Sequence, residues 1–167
     1  YNYSIHPSER VLNHINYENM ILHDVIDFAR FETDADKVGV TGYNLGGYHA
    51  LNLAFKHPDV IDAIITMGAT FNIKPFIMDY YDDNCYFNNP PDYLPGLTDS
   101  WYLDKFREMQ IILSIGEYDN YLDENKYISS LLNQKNVFHK FDIYPNTGHE
   151  INYWLNVFPN YLEAIKK

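Results

Sequence analysis

Between residues 38 and 47 the chain reads Val38-Gly39-Val40-Thr41-Gly42-Tyr43-Asn44-Leu45-Gly46-Gly47, an apolar run that passes through glycines straight into helix-forming Tyr48 to Lys56. No other stretch restricts the fold as much. A strand that turns into a helix within a few residues places its central residue at positive φ, and small flanking residues let the two backbones approach. Asparagine tolerates that region because its short amide can bond to nearby backbone. Asn44, with Gly42 and Gly46 two positions to either side, therefore predicts a tight strand-to-helix elbow.

With serine at the centre, Gly-x-Ser-x-Gly is a nucleophile elbow. Asn44 keeps the geometry and changes the chemistry. A carboxamide has no proton for a base to remove and its nitrogen lone pair is delocalised, so it does not replace an activated serine. Deamidation of Asn44 to aspartate would give a carboxylate nucleophile instead.

Around the elbow the chain alternates. Residues 1–13 read as a loop, with His6-Pro7 as a stop and Ser8 or Asn13 as helix caps. From His14 to Phe31 the positions Ile15, Ile21, Val25, Phe28 and Ala29, widened by Leu22 and Ile26, recur at helical spacing. Thr33 to Asp36 ends that helix, and Lys37 to Thr41 is a short strand. The elbow helix stops at His57-Pro58, because the residue before a proline leaves the helical region. Val60 to Met67 has the apolar character of a parallel strand covered on both faces, so a right-handed βαβ unit is expected.

The 70–110 stretch breaks into aromatic, Asp, Asn and Pro residues and reads as a lid-like insertion, closing with a helix over Asp99 to Met109 whose Trp101, Leu103 and Phe106 face inward. Ile111 to Ile115 is a third strand, followed by a helix from Asp123 to Gln134 with Tyr127, Ile128, Leu131 and Leu132 as its apolar face. Val137 to Tyr144 is a more polar, edge-type strand, and a last helix runs from Glu150 toward Lys166, broken or kinked at Pro159.

Composition removes several function classes. The 167 residues are the size of one domain, and 46% apolar residues suffice for a core. A net charge of -11, from 23 acidic and 12 basic residues, opposes binding to nucleic acid or to an anionic membrane surface. No apolar run approaches the roughly 20 residues that span a bilayer. Cys85 is the single cysteine, which excludes an intrachain disulfide and makes a reducing, cytoplasmic compartment the default expectation. The chain begins at Tyr1 without a methionine, leaving room for a removed leader, and Asn2-Tyr3-Ser4 is a glycosylation sequon that matters only in a secreted chain. Neither His23-Asp24 nor His49 with His57 has metal-ligand spacing, Asp79, Asp82 and Asp83 lack the pattern of a calcium loop, and no phosphate-binding glycine loop is present. No cofactor and no metal are expected.

Asn44, Asp119 and His149 each fall just past a strand, on the edge where open α/β sheets bind ligands. Singly, a histidine in a Gly-His loop is an ordinary surface residue and an aspartate after a strand an ordinary turn or cap. Together, in the order nucleophile, acid, histidine, they match the triad order of the α/β-hydrolases. The chain resembles the esterase family of that superfamily, the group that includes S-formylglutathione hydrolases, feruloyl esterases and mycolyltransferases. The matching residues are Gly42 to Ala50, His57-Pro58-Asp59, Tyr86-Phe87-Asn88, Asp92 to Pro95, Gly116 to Asp119 and Gly148-His149.

The resemblance implies an α/β fold, the C-terminal part of an α/β-hydrolase, with a mostly parallel sheet of about four strands flanked by helices. It implies carboxylic-ester hydrolysis on a small-molecule ester or acyl substrate, with Asn44 at the serine position, His149 as general base, Asp119 as its orienter and the Leu45 N–H as one oxyanion donor. Two departures matter. Asn44 makes the chain a catalytically impaired enzyme or a ligand-binding scaffold derived from one, and the family's earlier strands are not in this sequence. A fragment is therefore expected, whose 38–41 strand is an uncovered edge, with a homo-oligomer or a complementing N-terminal chain as its partner.

Overall fold

In the computed structural model, which describes residues 3–165, four parallel strands form one sheet in the order β1-β2-β3-β4. These are β1 (Gly39–Tyr43), β2 (Ala63–Met67), β3 (Gln110–Gly116) and β4 (Lys140–Tyr144). Register runs from Gly39 opposite Ala63, through Ala63 opposite Gln110, to Ile112 opposite Lys140. Both central strands are buried, whereas β1 and β4 are edges; the polarity of β4 announces this, but the apolar run of β1 reads as a buried strand and is only partly covered.

The two-residue period of the strands sorts the core onto two faces. Ile64, Ile111 and Leu113 pack with Leu51 and Phe55 of helix α3 (Leu45–Lys56) and with Ile128, Leu131 and Leu132 of α8 (Leu122–Gln134). Ile65, Met67 and Ile112 pack on the other face against Trp154 and Tyr161 of α9 (Ile151–Ile165). That last helix is continuous: Pro159 sits inside it without breaking it. Tyr127 of α8 is exposed, so the buried face of that helix is narrower than its apolar pattern predicts.

The N-terminal segment differs most from expectation. Residues 7–13 are helical, not loop. Pro7 occupies the first turn of α1 (Pro7–Met20), where its missing N–H costs nothing, and the His6 side chain caps it. A π-helical stretch, Ile21–Ile26, joins α1 to α2 (Asp27–Thr33). The face turned inward is Val11, His14, Glu18, Leu22 and Ile26, while Val25 and Phe28 are 47% and 64% exposed. Polar groups hold this helix down. Glu18, 6% exposed, accepts from Lys56 Nζ at 2.7 Å and lies 3.1 Å from His57 Nε2. Burial alone would push its carboxyl up, but the bonds from His57 and Lys56 prevail and hold it below the usual range.

Residues 70–110 form four short helices: α4 (Lys74–Ile77), α5 (Asp83–Tyr86), α6 (Pro90–Gly96) and α7 (Ser100–Glu108). Leu94 and Phe106 anchor α6 and α7 in the main core, with Phe106 stacked on Phe55 at 4.5 Å, while Ile77 of α4 and Cys85 of α5 pack with Val11 and Tyr48. Trp101, expected inward, is 47% exposed because the Asp99 cap places it at the start of α7, away from the core side held by Phe106. Asn2 of the sequon and Lys166 lie outside the described residues.

Candidate active site

The elbow sits at the C-terminal end of β1. Asn44 has φ 52° and ψ −121°, and its N–H donates to Met67 O at 3.1 Å, tying it to the end of β2. Its side chain makes no capping bond to α3, although asparagine is a favoured cap, so the fold and not a local amide bond holds this backbone. A Cβ on Gly42 would lie 2.1 Å from the Gly46 carbonyl group, and one on Gly47 would lie 2.5 Å from Ala69 Cβ. A Cβ on Gly46, by contrast, would have nothing within 4 Å. The close approach is thus secured by Gly42 and Gly47, where the sequence pattern pointed to Gly42 and Gly46. Leu45 opens α3, so its N–H is among those that have no acceptor within the helix.

Asp119 and His149 meet directly. His149 Nδ1 lies 2.7 Å from Asp119 Oδ2, and the aspartate side chain is fully buried. The second carboxylate oxygen accepts the Tyr121 N–H at 2.9 Å. A carboxylate on Nδ1 fixes the tautomer with the proton there, leaving the Nε2 lone pair free. Nε2 is buried and without a hydrogen-bond partner among the described residues. The loops are brought together by Gly116, where a Cβ would lie 2.3 Å from the carbonyl oxygens of both Thr147 and Gly148. Tyr118 N–H then donates to Thr147 O at 2.9 Å.

Several neighbours were not singled out by sequence. Gly68 ends β2 at φ +53°, and a Cβ there would lie 3.2 Å from Asp119 Oδ2, 3.2 Å from Trp154 Nε1 and 3.3 Å from His149 Nδ1. Its signal was a glycine directly after an apolar strand. Trp154, five residues past His149, is buried and leaves its indole N–H without a partner among the described residues. Tyr43 donates its hydroxyl to the His149 carbonyl and lays its ring against the imidazole at 4.9 Å, while Tyr121 presents an edge at 5.6 Å.

Other polar pairs do not form a comparable site. Ser129 Oγ lies 2.7 Å from His139 Nε2, but Ser129 is 6% exposed in the middle of α8. His49 is stacked on His14, and His57 is engaged by Glu18. No group of three or more metal-ligating side chains occurs among the described residues, and no helix among them is long and apolar enough to cross a membrane.

The fold has parallels among solved structures. The chain is similar in structure to a ferulic acid esterase (17% identity, TM-score 0.69, covering 84% of this chain and 56% of that one). It is also similar to S-formylglutathione hydrolases from Agrobacterium tumefaciens (11%, 0.67, covering 87% and 55%) and Staphylococcus aureus (20%, 0.65, covering 90% and 64%). It therefore spans between 55% and 64% of the length of these structures, and at such identities the likeness is one of fold. No curated protein sequence matches the chain. A family model described as the alpha/beta hydrolase fold matches residues 1–116, well over half of the 167, and the chain accordingly belongs to the α/β-hydrolase family.

Proposed function

We propose that this chain is an esterase-type α/β-hydrolase domain in which the base and its orienter are assembled while the nucleophile is replaced. His149 is the general base, Asp119 holds its ring and stabilises its charged form, Asn44 stands at the nucleophile position, and the Leu45 N–H is one oxyanion donor. The observation that carries this reading is the 2.7 Å His149–Asp119 bond beside an elbow whose central residue keeps positive φ. With serine at 44, Nε2 would take the hydroxyl proton as oxygen attacks an acyl carbonyl, and would return it to the leaving alcohol. With asparagine neither transfer occurs, so hydrolysis is impaired and binding of an ester or acyl ligand is the function the site retains.

The test is hydrolysis of an activated short-chain acyl ester by Asn44→Ser beside the unaltered chain. Activity gained by the variant alone, with burst kinetics and a covalent acyl adduct, is the expected result. The same activity in the unaltered chain would refute impairment, and a folded but inactive variant would refute a site that is complete within this chain. The uncovered outer edge of β1 supports a further part of the proposal: another polypeptide strand, from a second copy or a complementing chain, covers it.

A further inference from the structure

We infer that Tyr43 is a positioning residue that couples the elbow to the histidine, pinning the backbone of His149 through its hydroxyl and the imidazole through its ring. Tyr43 is the last residue of β1 and immediately precedes Asn44, so whatever fixes its side chain is referenced to the nucleophile position. Its hydroxyl donates to the His149 carbonyl, 106 residues away in sequence. Its ring lies 4.9 Å from the imidazole at 35°, and Tyr121 closes on the same imidazole from 5.6 Å at 71°. Asp119 holds the imidazole at Nδ1, on one edge of the ring. The Tyr43 ring against the imidazole and the bond to the His149 carbonyl are two further constraints, and together they set the direction of Nε2.

Charge also suits the role. Burial, and then the carboxylates of Asp119 and Glu150, raise the Tyr43 hydroxyl above its ordinary range. It therefore stays a protonated donor across the pH range in which a histidine base operates. The sequence offered no hint, because the residue between Gly42 and Asn44 is unrestricted in the elbow pattern.

The inference rests on the reading of His149 as base, and its test separates the two. In the unaltered chain, proton NMR should show a hydrogen-bonded His149 Nδ1 proton and a nuclear Overhauser contact from the Tyr43 hydroxyl to His149. Tyr43→Phe keeps the ring and removes one hydrogen bond, so exchange of the Nδ1 proton should accelerate about fivefold to tenfold, the equivalent of one such bond. In the Asn44→Ser background the same change should lower kcat about fivefold to tenfold with KM unchanged. A merely structural tyrosine would shift the unfolding midpoint and leave both readouts in place. Unchanged Nδ1 exchange in Tyr43→Phe, or no Overhauser contact in the unaltered chain, overturns the inference. Faster exchange together with an inactive Asn44→Ser variant leaves the positioning role standing and removes the hydrolase reading.

Discussion

Replacing Gly42 and Gly46 one at a time by alanine should move stability in opposite directions, although the motif treats the two glycines alike. A methyl on Gly42 would sit 2.1 Å from the Gly46 carbonyl carbon and oxygen and 2.5 Å from Gly47 N, all backbone atoms. Ordinary carbon contacts lie near 3.5–4.0 Å, so β1 and α3 would have to part by more than 1 Å. Overpacking that moves backbone rather than a side-chain tip falls at the upper end of the usual range, about 3 kcal/mol. Gly46, in the first turn of α3, has open space around the same position and no positive φ. There alanine gains helix propensity, about 0.5–1 kcal/mol. Urea unfolding of both variants beside the parent measures the difference, about 4 kcal/mol between them. A Gly42→Ala variant within 0.5 kcal/mol of the parent, or Gly46→Ala destabilised by more than about 1 kcal/mol, would refute the packing argument.

Two other perturbations read different parts of the fold. Burial first, and then the stacked His14, lower His49 to about 4, so that below about 6.5 the unfolded chain takes up a proton that the folded chain refuses. Stability should fall as pH drops from about 6.5 to about 4, by at most about 3 kcal/mol from this group, and His49→Gln should flatten that slope in pH-dependent unfolding. Glu124 accepts the Thr70 hydroxyl at 3.0 Å and the N–H groups of Phe71 and Asn72 at 2.7 and 3.1 Å. Glu124→Ala should cost about 2 kcal/mol and speed amide exchange at those two residues; unchanged exchange there would show that α8 does not hold the loop.

Local rules made the sheet and the geometry of the candidate site legible. The elbow could be read because positive φ and close backbone approach leave few residue choices, and Asp119 and His149 because parallel strands deliver their loops to one edge. Gly116 shows why their meeting was not readable: the crossing of residues 147 and 148 over it depends on a contact between segments 31 residues apart or more. Gly68, Trp154 and Tyr43 were hidden for the same reason, since each acts across strands. The first helix was misplaced by Pro7, which stops a helix in its interior but starts one at its first turn. Its stripe was misjudged too, because the pattern marks which residues are apolar, and not whether anything covers them.

That last discrepancy points to the edge of β1. Asn44 N–H donates to Met67 O and Asp62 N–H to Val38 O, so residues 38, 40, 42 and 44 face β2. The backbone groups of Gly39, Thr41 and Tyr43 must then point away from the sheet. Gly39 and Thr41 are exposed, and with Tyr17, Ile21 and Val40 they line a cavity of about 340 Å³ between α1, α3 and this edge. From the cavity outward, Tyr17 of α1, Val25 of the π-helical stretch and Phe28 of α2 are exposed, so apolar surface continues along all three helical segments. Tyr17, Val25 and Phe28 are 47%, 47% and 64% exposed, so covering them contributes about half of the roughly 1.5–3 kcal/mol each that full burial gives, which favours association. A charge of -11 on each copy opposes self-association at low salt, and screening at about 0.5 M should promote it. The expected observation is alternation: at low concentration and low salt the amides of Gly39, Thr41 and Tyr43 exchange at least ~100-fold faster than those of Val40, Gly42 and Asn44. With rising concentration and salt, or on adding a complementing chain, the first three should gain protection as light scattering reports a larger particle. A chain that stays monomeric throughout, unfolds cooperatively and keeps those three amides open would mean that β1 is a natural edge and that its apolar flank has no partner.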